Sequence, residues 1–432
     1  MSPPGPPPTG GPRGEDGPGH PTGNILTVNA GSSSLKLSVL DGADRLLAEA
    51  SVPAKRGSPV SQVLDDELGR LLDAAGAAGA AGAAGAADAA GAADAADAAD
   101  AADAGATYRL AAVGHRIVHG GSDLVAPVVV DEDVRLQLEE LCDLAPLHQP
   151  TSLAALDAVG RHLPGVPAVA CFDTAFHAHI PAVAATYALP REWRRRWPLR
   201  RFGFHGLSHA YASRRAAVLL DQPLESLRLV TCHLGAGASL AAVAGGLSVD
   251  TTMGFTPLDG LVMATRSGSL DPGLVLWLEE HVGMPSAELA SALEHRSGLF
   301  GLGGSADLRV VLAAEERGDA EAALAVGVYL HRLRAGVASM VAALGGLDAL
   351  VFTGGVGEAS AVVRSRTASG LGFLGVTVDP APNEAGRGDR DIGEPGAPVR
   401  VLVVTAREDL EIARGVRSAF GAAPSTAGTA GG

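Results

Sequence analysis

The feature that most constrains the fold of this chain is a pair of similar strand–turn–strand segments. One reads NILTVNAGSSSLKLSVL over residues 24–40, and the other reads LRLVTCHLGAGASLAAVAGGLSVDT over residues 227–251. Aligning Ser34-Leu35 on Ser239-Leu240 matches their turns, whose small residues let backbone N–H groups approach a phosphate. The duplication predicts two related α/β halves that face each other across a nucleotide or phosphate cleft.

Two common phosphate-binding motifs are absent from the sequence. No segment reads GxxxxGK[ST], and neither lysine, Lys36 or Lys55, follows a glycine, so a P-loop is excluded. The catalytic loop of protein kinases is missing too, because Ile117 follows His115-Arg116 where that motif needs an aspartate. The cleft must therefore handle phosphate with other residues.

Length, charge and cysteine content bound the class of protein. At 432 residues the chain is long enough for two domains of roughly 150 residues or more. The net charge of −15, with no basic run longer than Arg194-Arg195-Arg196, argues against nucleic acid or an anionic membrane as a partner. The absence of a CxxC pair is typical of a reduced cytoplasmic protein without a thiolate metal site. We expect three cysteines to be small buried hydrophobic residues: Cys142, Cys171 and Cys232.

Several segments are predicted to carry no chemistry. Proline and glycine fill residues 1–23, where a signal peptide would need an apolar stretch, so we expect a disordered tail there and another over 421–432. Residues 73–106 repeat alanine with glycine or aspartate, which predicts an inserted exposed helix or a disordered loop. The apolar run over 230–246 carries His233 and several glycines, so we interpret it as the second hairpin and predict no transmembrane segment.

An arginine at the predicted end of a strand is the first candidate for binding an anion. Arg116 follows the apolar residues 110–113 and precedes Gly120-Gly121, so we expect it at a strand end that faces a loop. A guanidinium holds carboxylate or phosphate oxygens through two parallel hydrogen bonds, which a lysine ammonium cannot do. The alternative is an arginine in a salt bridge at a strand edge.

An aspartate is the second candidate. Asp173 directly follows the apolar strand predicted over 168–172. Catalytic groups collect at the carboxyl ends of strands in α/β sheets, so this carboxylate is a candidate for positioning a substrate or handling a proton. The alternative is a helix N-cap.

A histidine between glycines is the third candidate. Gly203 and Gly206 flank Phe204-His205, which lets the backbone approach a ligand and places His205 to donate to a developing negative charge. The four-residue spacing to His209 also occurs in zinc sites, but no third ligand and no H-E-x-x-H pattern accompanies it. Contact with phosphate is therefore the better-supported interpretation.

Two later segments complete the predicted cleft. The run over 250–273 is too polar for a core and too rich in turns for a linker, and its Arg266 would give the cleft a second guanidinium opposite Arg116. Residues 350–358 read as a buried strand that opens into a glycine turn and a helix. That arrangement suits the phosphates or the adenosine of a nucleotide.

Taken together, these segments resemble the acetate kinase family, within the superfamily of acetate and sugar kinases, heat-shock ATPases and actin. The resemblance runs in order from Asn24 to about Ala413 and skips only the alanine-rich insert. It implies an α/β fold of two domains with duplicated actin-like (ribonuclease H-like) mixed sheets, flanked by helices and separated by a cleft. The implied domains cover 24–174 and 175–404, and a terminal helix over 405–420 returns to the first domain.

The resemblance also implies a reaction. This is reversible, Mg²⁺-dependent phosphoryl transfer from ATP to acetate by direct in-line attack, which gives acetyl phosphate and ADP. Mn²⁺ is the alternative metal, and the family implies a homodimer. Asn29 and Glu408 would hold the metal, directly or through water.

Catalytic and binding roles follow from the same resemblance. Arg116 and Arg266 would bind the acetate carboxylate and the transferring phosphoryl group, and His205 would stabilise the transition state. Asp173 would be essential beside them, and His148 would contact the substrate. Residues assigned to the nucleotide are Lys36; His233, Leu234, Gly235, Ala236 and Gly237; Asp307, Leu308 and Arg309; and Gly355, Val356, Gly357, Glu358 and Ala359.

Three positions depart from the family's pattern. HLGNG reads HLGAG at Ala236, GIGEN reads GVGEA at Ala359, and LHNP reads LHQP at Gln149. Two of the lost amides lie in segments assigned to the nucleotide, so we expect weaker ATP binding or a changed nucleotide preference rather than a loss of chemistry. The alternatives are a kinase for propionate or another short-chain carboxylate, and a nucleotide-binding regulatory protein with degraded catalysis.

Overall fold

The computed structural model describes residues 23–31, 34–53, 64, 67–79, 109–145 and 148–421. Both expected tails fall almost wholly outside these residues, as does the alanine-rich insert from residue 80 onward. The first residues of that insert, 73–79, continue a helix. No helix in these ranges is both long enough and apolar enough to cross a bilayer.

Within the described residues, the first sheet is mixed and has the strand order β3-β2-β1-β4-β6-β5. β1, β4 and β6 run parallel, and β2 and β3 extend the sheet in antiparallel fashion from β1. Central strands are covered on both faces, which is why β1 is buried along almost its whole length. These strands are β1 Asn24–Ala30, β2 Ser34–Leu40, β3 Leu46–Pro53, β4 Leu110–Ile117, β5 Val128–Val129 and β6 Ala168–Phe172.

The second sheet repeats this plan in the order β11-β12-β10-β7-β8-β9. β7 begins an antiparallel run with β8 and β9, and β7, β10 and β12 are parallel. The duplicated mixed sheets predicted from the sequence are therefore confirmed, whereas the division of the chain into domains stays a prediction. The strands are β7 Arg228–Leu234, β8 Ala238–Ala244, β9 Leu247–Thr251, β10 Ala349–Thr353, β11 Arg390–Asp391 and β12 Arg400–Val403.

Helices flank both sheets. In the first half they are α1 (67–79), α2 Glu132–Glu140 and α3 Gln149–His162. Those that follow are α4 Ala182–Ala185, α5 Arg191–Arg196, α6 Gly206–Leu220, α7 Pro272–Glu280, α8 Ser286–His295, α9 Gly298–Gly303, α10 Leu308–Glu316, α11 Ala320–Leu344, α12 Gly354–Ala359, α13 Ala361–Ser369, α14 Pro380–Glu384 and α15 Glu408–Gly421.

The long helix α11 shows how local sequence sets helix ends. The side chain of Asp319 accepts hydrogen bonds from the backbone N–H groups of Glu321 and Ala322, which satisfies donors that a helix start leaves free. Gly345 ends the helix in the left-handed conformation, with φ of 65°. Between these caps α11 buries Val326, Leu330 and other apolar side chains in the core beside the second sheet.

The last helix, α15, packs on the first sheet although it is reached from the second. Ile412 and Val416 are fully buried with Ile25 of β1 and Cys171 of β6. A Cβ at Gly114 of β4 would overlap Ile412 and lie 2.7 Å from Cγ2 of Val416, so a glycine is needed for this close approach. The packing places Glu408, the first residue of α15, at the cleft between the sheets.

Candidate active site

The carboxyl ends of β1, β4 and β6 bring three polar side chains together. Arg116, near the end of β4, donates from Nε and Nη2 to the carboxylate of Asp173, with Nη2 2.6 Å from Oδ2. Its Nη1 donates to Oδ1 of Asn29 at 3.1 Å. The side chain of Arg116 is 12% exposed and that of Asp173 is 1% exposed. Arg116 thus stands as expected at a strand end, bonded in place before any ligand arrives.

The two alternative interpretations of these residues can be compared with the geometry. The salt bridge of Arg116 is present, but β4 lies between β1 and β6, so the residue is in a central strand. Asp173 turns its carboxylate to Arg116, and the residue at the cap position of the following short 3₁₀ turn is Thr174. Asp173 is therefore not a helix N-cap.

Asn29 and Glu408 form the oxygen-rich side of the site. Nδ2 of Asn29 donates to the carboxylate of Glu408. Burial alone would raise the pKa of Glu408, but the positive charge of Arg116, the neighbouring His233 and the bond from Asn29 lower it below its ordinary value. The group is therefore a carboxylate at neutral pH. No cluster of three or more His, Cys, Asp or Glu side chains suited to a metal ion occurs in the part of the chain that the structure describes.

The turn before α6 holds His205 in an unusual backbone conformation. Its φ of 57° lies in the left-handed region, and the N–H of Gly206 donates to the carbonyl of Asp173 at 2.9 Å. The ring of His205 stacks on that of His233, with centroids 4.3 Å apart. Burial, then the nearby His233 and Arg116, hold the pKa of His205 well below its ordinary value. The imidazole is therefore neutral at physiological pH.

Arg266 is anchored from both halves of the molecule. Its Nε donates to the carboxylate of Glu294, at the end of α8, over 2.9 Å. Its Nη2 lies 3.0 Å from Nε2 of His148, which stands at the start of α3 in the first half. Both Arg266 and Glu294 are largely buried. The second guanidinium of the cleft is thus also held in a fixed orientation.

These groups line one cavity of about 460 Å³ between the two sheets, which we call the polar cavity. Its wall contains most of the residues singled out from the sequence. They are Asn29, Lys36, Arg116, His148, Asp173, His205, His233, Ala236, Gly237, Arg266, Gly355, Glu358 and Glu408.

A second cavity of about 570 Å³, the apolar cavity, shares Ala236 and Gly355 with the first. Leucine and valine side chains and Tyr329 make up much of its wall. The remaining predicted nucleotide residues that line it are Gly235, Asp307, Leu308, Arg309, Val356 and Ala359. The two predicted residues that line neither cavity are Leu234 and Gly357, both buried.

Sequence reasoning missed the residues that support the site. Ser239 bonds to His205, Ser208 bonds to His233, and Glu294 anchors Arg266. Tyr329 lines the apolar cavity from α11. Ser208 lies inside the segment 203–209 and Ser239 lies in the second strand–turn–strand segment, but neither serine was assigned a role from the sequence. Glu294 and Tyr329 lie outside every segment singled out above.

Comparison with known proteins accounts for this arrangement. The model of the acetokinase family matches residues 24–414. An acetate kinase from Synechococcus sp. (strain JA-2-3B'a(2-13)) is 45% identical over 402 residues, which cover 90% of this chain and 97% of the relative. An acetate kinase from Thermosynechococcus vestitus is 51% identical over 306 residues, or 71% of this chain and 73% of the relative.

Solved structures of related kinases have the same fold as this chain. The crystal structure of Porphyromonas gingivalis acetate kinase superposes with a TM-score of 0.77 at 32% identity and covers 92% of this chain and 100% of its own. A propionate kinase from Francisella tularensis subsp. tularensis SCHU S4 gives a TM-score of 0.77 at 31% identity, covering 91% and 98%. The chain belongs to the acetokinase family.

Proposed function

We propose that this protein is an acetate kinase that transfers a phosphoryl group reversibly between ATP and acetate, forming acetyl phosphate and ADP. The observation that carries the proposal is the convergence of two anchored guanidiniums, Arg116 and Arg266, with the neutral imidazole of His205 on one polar cavity. A second cavity of nucleoside size and apolar character adjoins it.

The chemistry needs positioning and charge compensation more than proton transfer. Acetate is already a nucleophile at neutral pH, so its oxygen can attack the γ-phosphorus in line without a strong base. The main obstacle is the repulsion between two anions. Arg116 and Arg266 offset it, and their bonds to Asp173 and Glu294 hold them ready, so little reorganisation is required.

His205 would act as a neutral hydrogen-bond donor to the equatorial oxygens of the phosphoryl group. Negative charge spreads over these oxygens in a loose transition state, and a fixed donor in a partly dry site stabilises that charge. Since the pKa of His205 is held well below its ordinary value, chiefly by burial, the ring is unsuited to the role of a general acid that charges and discharges near pH 7.

The donor set beside Arg116 fits Mg²⁺. An amide oxygen and a charged carboxylate, from Asn29 and Glu408, are hard ligands, and Mg²⁺ usually keeps few protein ligands and fills the rest with water and phosphate oxygens. When bound, the ion would neutralise phosphate charge; Mn²⁺ is the alternative. We assign the adenosine to the apolar cavity and the phosphates to the turns at Gly235–Gly237 and Gly355 that connect the two cavities.

Acetate is proposed over longer acids because the relatives matched over most of the chain are named acetate kinases. The polar cavity also has apolar side chains in its wall, from Val118, Phe204 and Pro257. One further methylene in such a pocket changes binding by only about 1–3 kcal/mol, so a propionate kinase is the close alternative. The regulatory alternative is disfavoured because the charged groups expected for catalysis persist. Arg116 is bonded to Asp173, Arg266 to Glu294, and Glu408 to Asn29.

We also propose a cytoplasmic homodimer. The three cysteines form no disulfide, which suits a reducing compartment. Exposed apolar side chains on and beside α7 offer a surface for a second copy: Leu270, Leu274, Leu276, Trp277 and Val282. Light scattering on the purified protein would check this, and a single monomeric mass at micromolar concentration would contradict it.

The proposed reaction is tested by trapping acyl phosphate with hydroxylamine. Purified protein is incubated with Mg²⁺-ATP and matched concentrations of acetate, propionate or butyrate. Highest turnover with acetate supports the proposal. A preference for propionate would favour the alternative kinase, and no product with any acid would favour the regulatory protein.

A further inference from the structure

We propose that a buried chain of hydrogen bonds from Thr231 through His209 and Ser239 sets the tautomer of His205, so that its Nε2 presents an N–H to the polar cavity. Ser239, His209 and Thr231 are positioning residues in this proposal, which rests on the proposed function for its catalytic meaning. The tautomer itself can be measured without any substrate.

This chain of hydrogen bonds is continuous and buried. Oγ of Ser239 lies 2.9 Å from Nδ1 of His205 and 2.7 Å from Nε2 of His209. Nδ1 of His209 lies 2.7 Å from Oγ1 of Thr231. Thr231, His209 and Ser239 all have 0% relative exposure, so water does not compete for these bonds.

The direction of the bonds follows from the need to satisfy every donor. The hydroxyl of Thr231 has Nδ1 of His209 as its hydrogen-bond partner among the described residues, so its O–H must donate there. Nε2 of His209 then carries the proton and donates to Ser239. The O–H of Ser239 donates in turn to Nδ1 of His205, which leaves the proton of His205 on Nε2.

The opposite direction is worse on two counts. It would make Thr231 an acceptor and leave its buried O–H without an acceptor among the described residues. It would also place the proton of His205 on Nδ1 and aim the lone pair of Nε2 at the cavity. A lone pair repels phosphoryl oxygens, whereas an N–H attracts them.

Both imidazoles must be neutral for the tautomer to matter. Burial, followed by neighbouring His177 and His233, holds the pKa of His209 well below its ordinary value. Burial, followed by His233 and Arg116, does the same for His205. Each ring therefore carries one proton at neutral pH, and its hydrogen-bond partners decide which nitrogen holds it.

Nε2 of His205 points toward the part of the polar cavity where the second guanidinium lies. A Cβ built on Gly237 would be 3.3 Å from Nε2 of His205 and 3.5 Å from Nη1 of Arg266. The two donors therefore converge on the same turn, in the wall that we assign to the phosphates. A proton on Nε2 gives the cavity a pair of donors beside the expected phosphoryl group.

The first experiment reads the tautomer directly in the substrate-free protein. Long-range ¹H–¹⁵N NMR of the histidine-labelled chain distinguishes a protonated from an unprotonated ring nitrogen, and the His205→Asn variant identifies the signals by their loss. We expect His205 to be neutral with its proton on Nε2. A proton on Nδ1 would overturn the proposal, whether or not the protein proves to be an acetate kinase.

The second experiment interrupts the hydrogen-bond chain at Thr231, the end that lies away from the cavity. Thr231→Val removes the hydroxyl and keeps the shape, whereas Thr231→Ser keeps the hydroxyl. We expect Thr231→Val to lower kcat roughly tenfold with little change in KM, and to bring a second, Nδ1-protonated form of His205 into the spectrum. Thr231→Ser should stay close to the parent in both measurements.

Ser239→Ala should act more strongly, because it removes the donor to His205 itself. Ser213→Ala is the matched control, since the hydroxyl of Ser213 is equally buried on the helix of His209 but donates to the carbonyls of His209 and Ala210. If Thr231→Val and Thr231→Ser give the same kcat and the same His205 spectrum, the chain does not set the tautomer and the proposal is wrong.

Discussion

Asn29, in the first strand, donates a hydrogen bond to the carboxylate of Glu408, 379 positions later at the start of the last helix. The bond joins the two ends of the folded chain at the wall of the polar cavity. Arg116 also bonds to Asn29 and, with its charge, helps to keep Glu408 ionised. The proposed metal ligands are therefore completed only when α15 docks on the first sheet.

Replacing Glu408 by glutamine should weaken the binding of Mg²⁺. The substitution keeps the shape and removes the negative charge, so we expect the Mg²⁺ concentration for half-maximal activity to rise at least about tenfold. Asp409→Asn is the control, because Asp409 is the next residue but pairs with Arg407 at 2.8 Å. An unchanged Mg²⁺ dependence for Glu408→Gln would remove this residue from the metal site.

Arg266→Ala should abolish most turnover and leave the fold intact. It removes one of the two guanidiniums of the polar cavity, and loss of one preorganised charge-stabilising donor lowers kcat by about a hundredfold or more. Arg296→Ala serves as the control, since that side chain is 57% exposed and lies 3.7 Å from its partner Glu288. Near-normal turnover in acyl phosphate assays of Arg266→Ala would contradict the mechanism.

Arg364→Lys should weaken nucleotide binding from behind the site. The buried guanidinium of Arg364 donates to the carbonyls of Gly357 and Glu358 at 2.8 Å and to both the side chain and the carbonyl of Asn383. A lysine cannot reach all of these acceptors, and each one left unpaired costs about 1–3 kcal/mol. We therefore expect helix α12, which carries Gly355 and Glu358, to become less well ordered.

Calorimetric titration with ADP would measure that loss of affinity. Arg366→Lys is its control, because Arg366 lies two residues after Arg364 in α13 and pairs with Glu315 at 2.7 Å. If both variants bind ADP as the parent does, Arg364 supports stability alone, and a lower unfolding temperature would be its only effect.

Ala359→Asn should tighten nucleotide binding. Ala359 lines the apolar cavity where the family's pattern has asparagine, so an amide there regains a donor and an acceptor. We expect a gain of roughly 0.5–1.5 kcal/mol in the free energy of ADP binding. Val362→Asn, at an exposed position three residues later, is the matched addition outside the cavity. Equal affinities in the two variants would show that the lost amide does not face the nucleotide.

Much of the fold could be predicted because the strands of its repeated part follow one another closely in the sequence. Each antiparallel set, β1 to β3 and β7 to β9, is contiguous in sequence, so strands and turns are visible as alternating apolar runs and small residues. The two-residue strands β5 and β11 could not be found, because such short segments have no periodicity of their own. Val128 is held in place by pairing with Ala170.

The sequence alignment of Ser34-Leu35 on Ser239-Leu240 compares the turns and predicts no strand register. In the structure Lys36 pairs with Asn29, and Ser239 pairs with His233. Similar turn sequences fix the turn, but the hydrogen-bonded register of the flanking strands is set by tertiary packing.

The charged residues of the site could be identified from the sequence. The residues that anchor these side chains could not. Arg116 and Asp173 stand at strand ends beside apolar runs, which marks them in the sequence. Glu294 sits in an amphipathic helix like any other surface glutamate, and only the packing of α8 brings it 2.9 Å from Arg266. Ser239 lies in an apolar strand, and its two histidine partners come from the distant segment 203–209, so its role becomes visible only in the structure.

Acid should lower the free energy of unfolding already at pH values well above the pKa of the carboxylates. His115 should account for part of this decrease. The ring of His115 is 2% exposed, and its nitrogens have no hydrogen-bond partner among the described residues. Burial lowers its pKa to about 4, although Asp157 opposes the shift. The unfolded chain, with a histidine pKa of about 6.5, therefore takes up a proton first as the pH falls.

The stabilising contribution of neutral His115 is present above pH 6.5 and is lost as the pH falls from 6.5 toward 4. By linkage, this residue alone lowers the free energy of unfolding by about 2 kcal/mol between pH 8 and pH 5. His115→Leu should remove that share of the pH dependence, as measured by urea denaturation at both pH values. Any packing change shifts both measurements equally, so only the difference between them counts. A difference as large as in the parent protein would mean that His115 is charged in the folded state or reached by water.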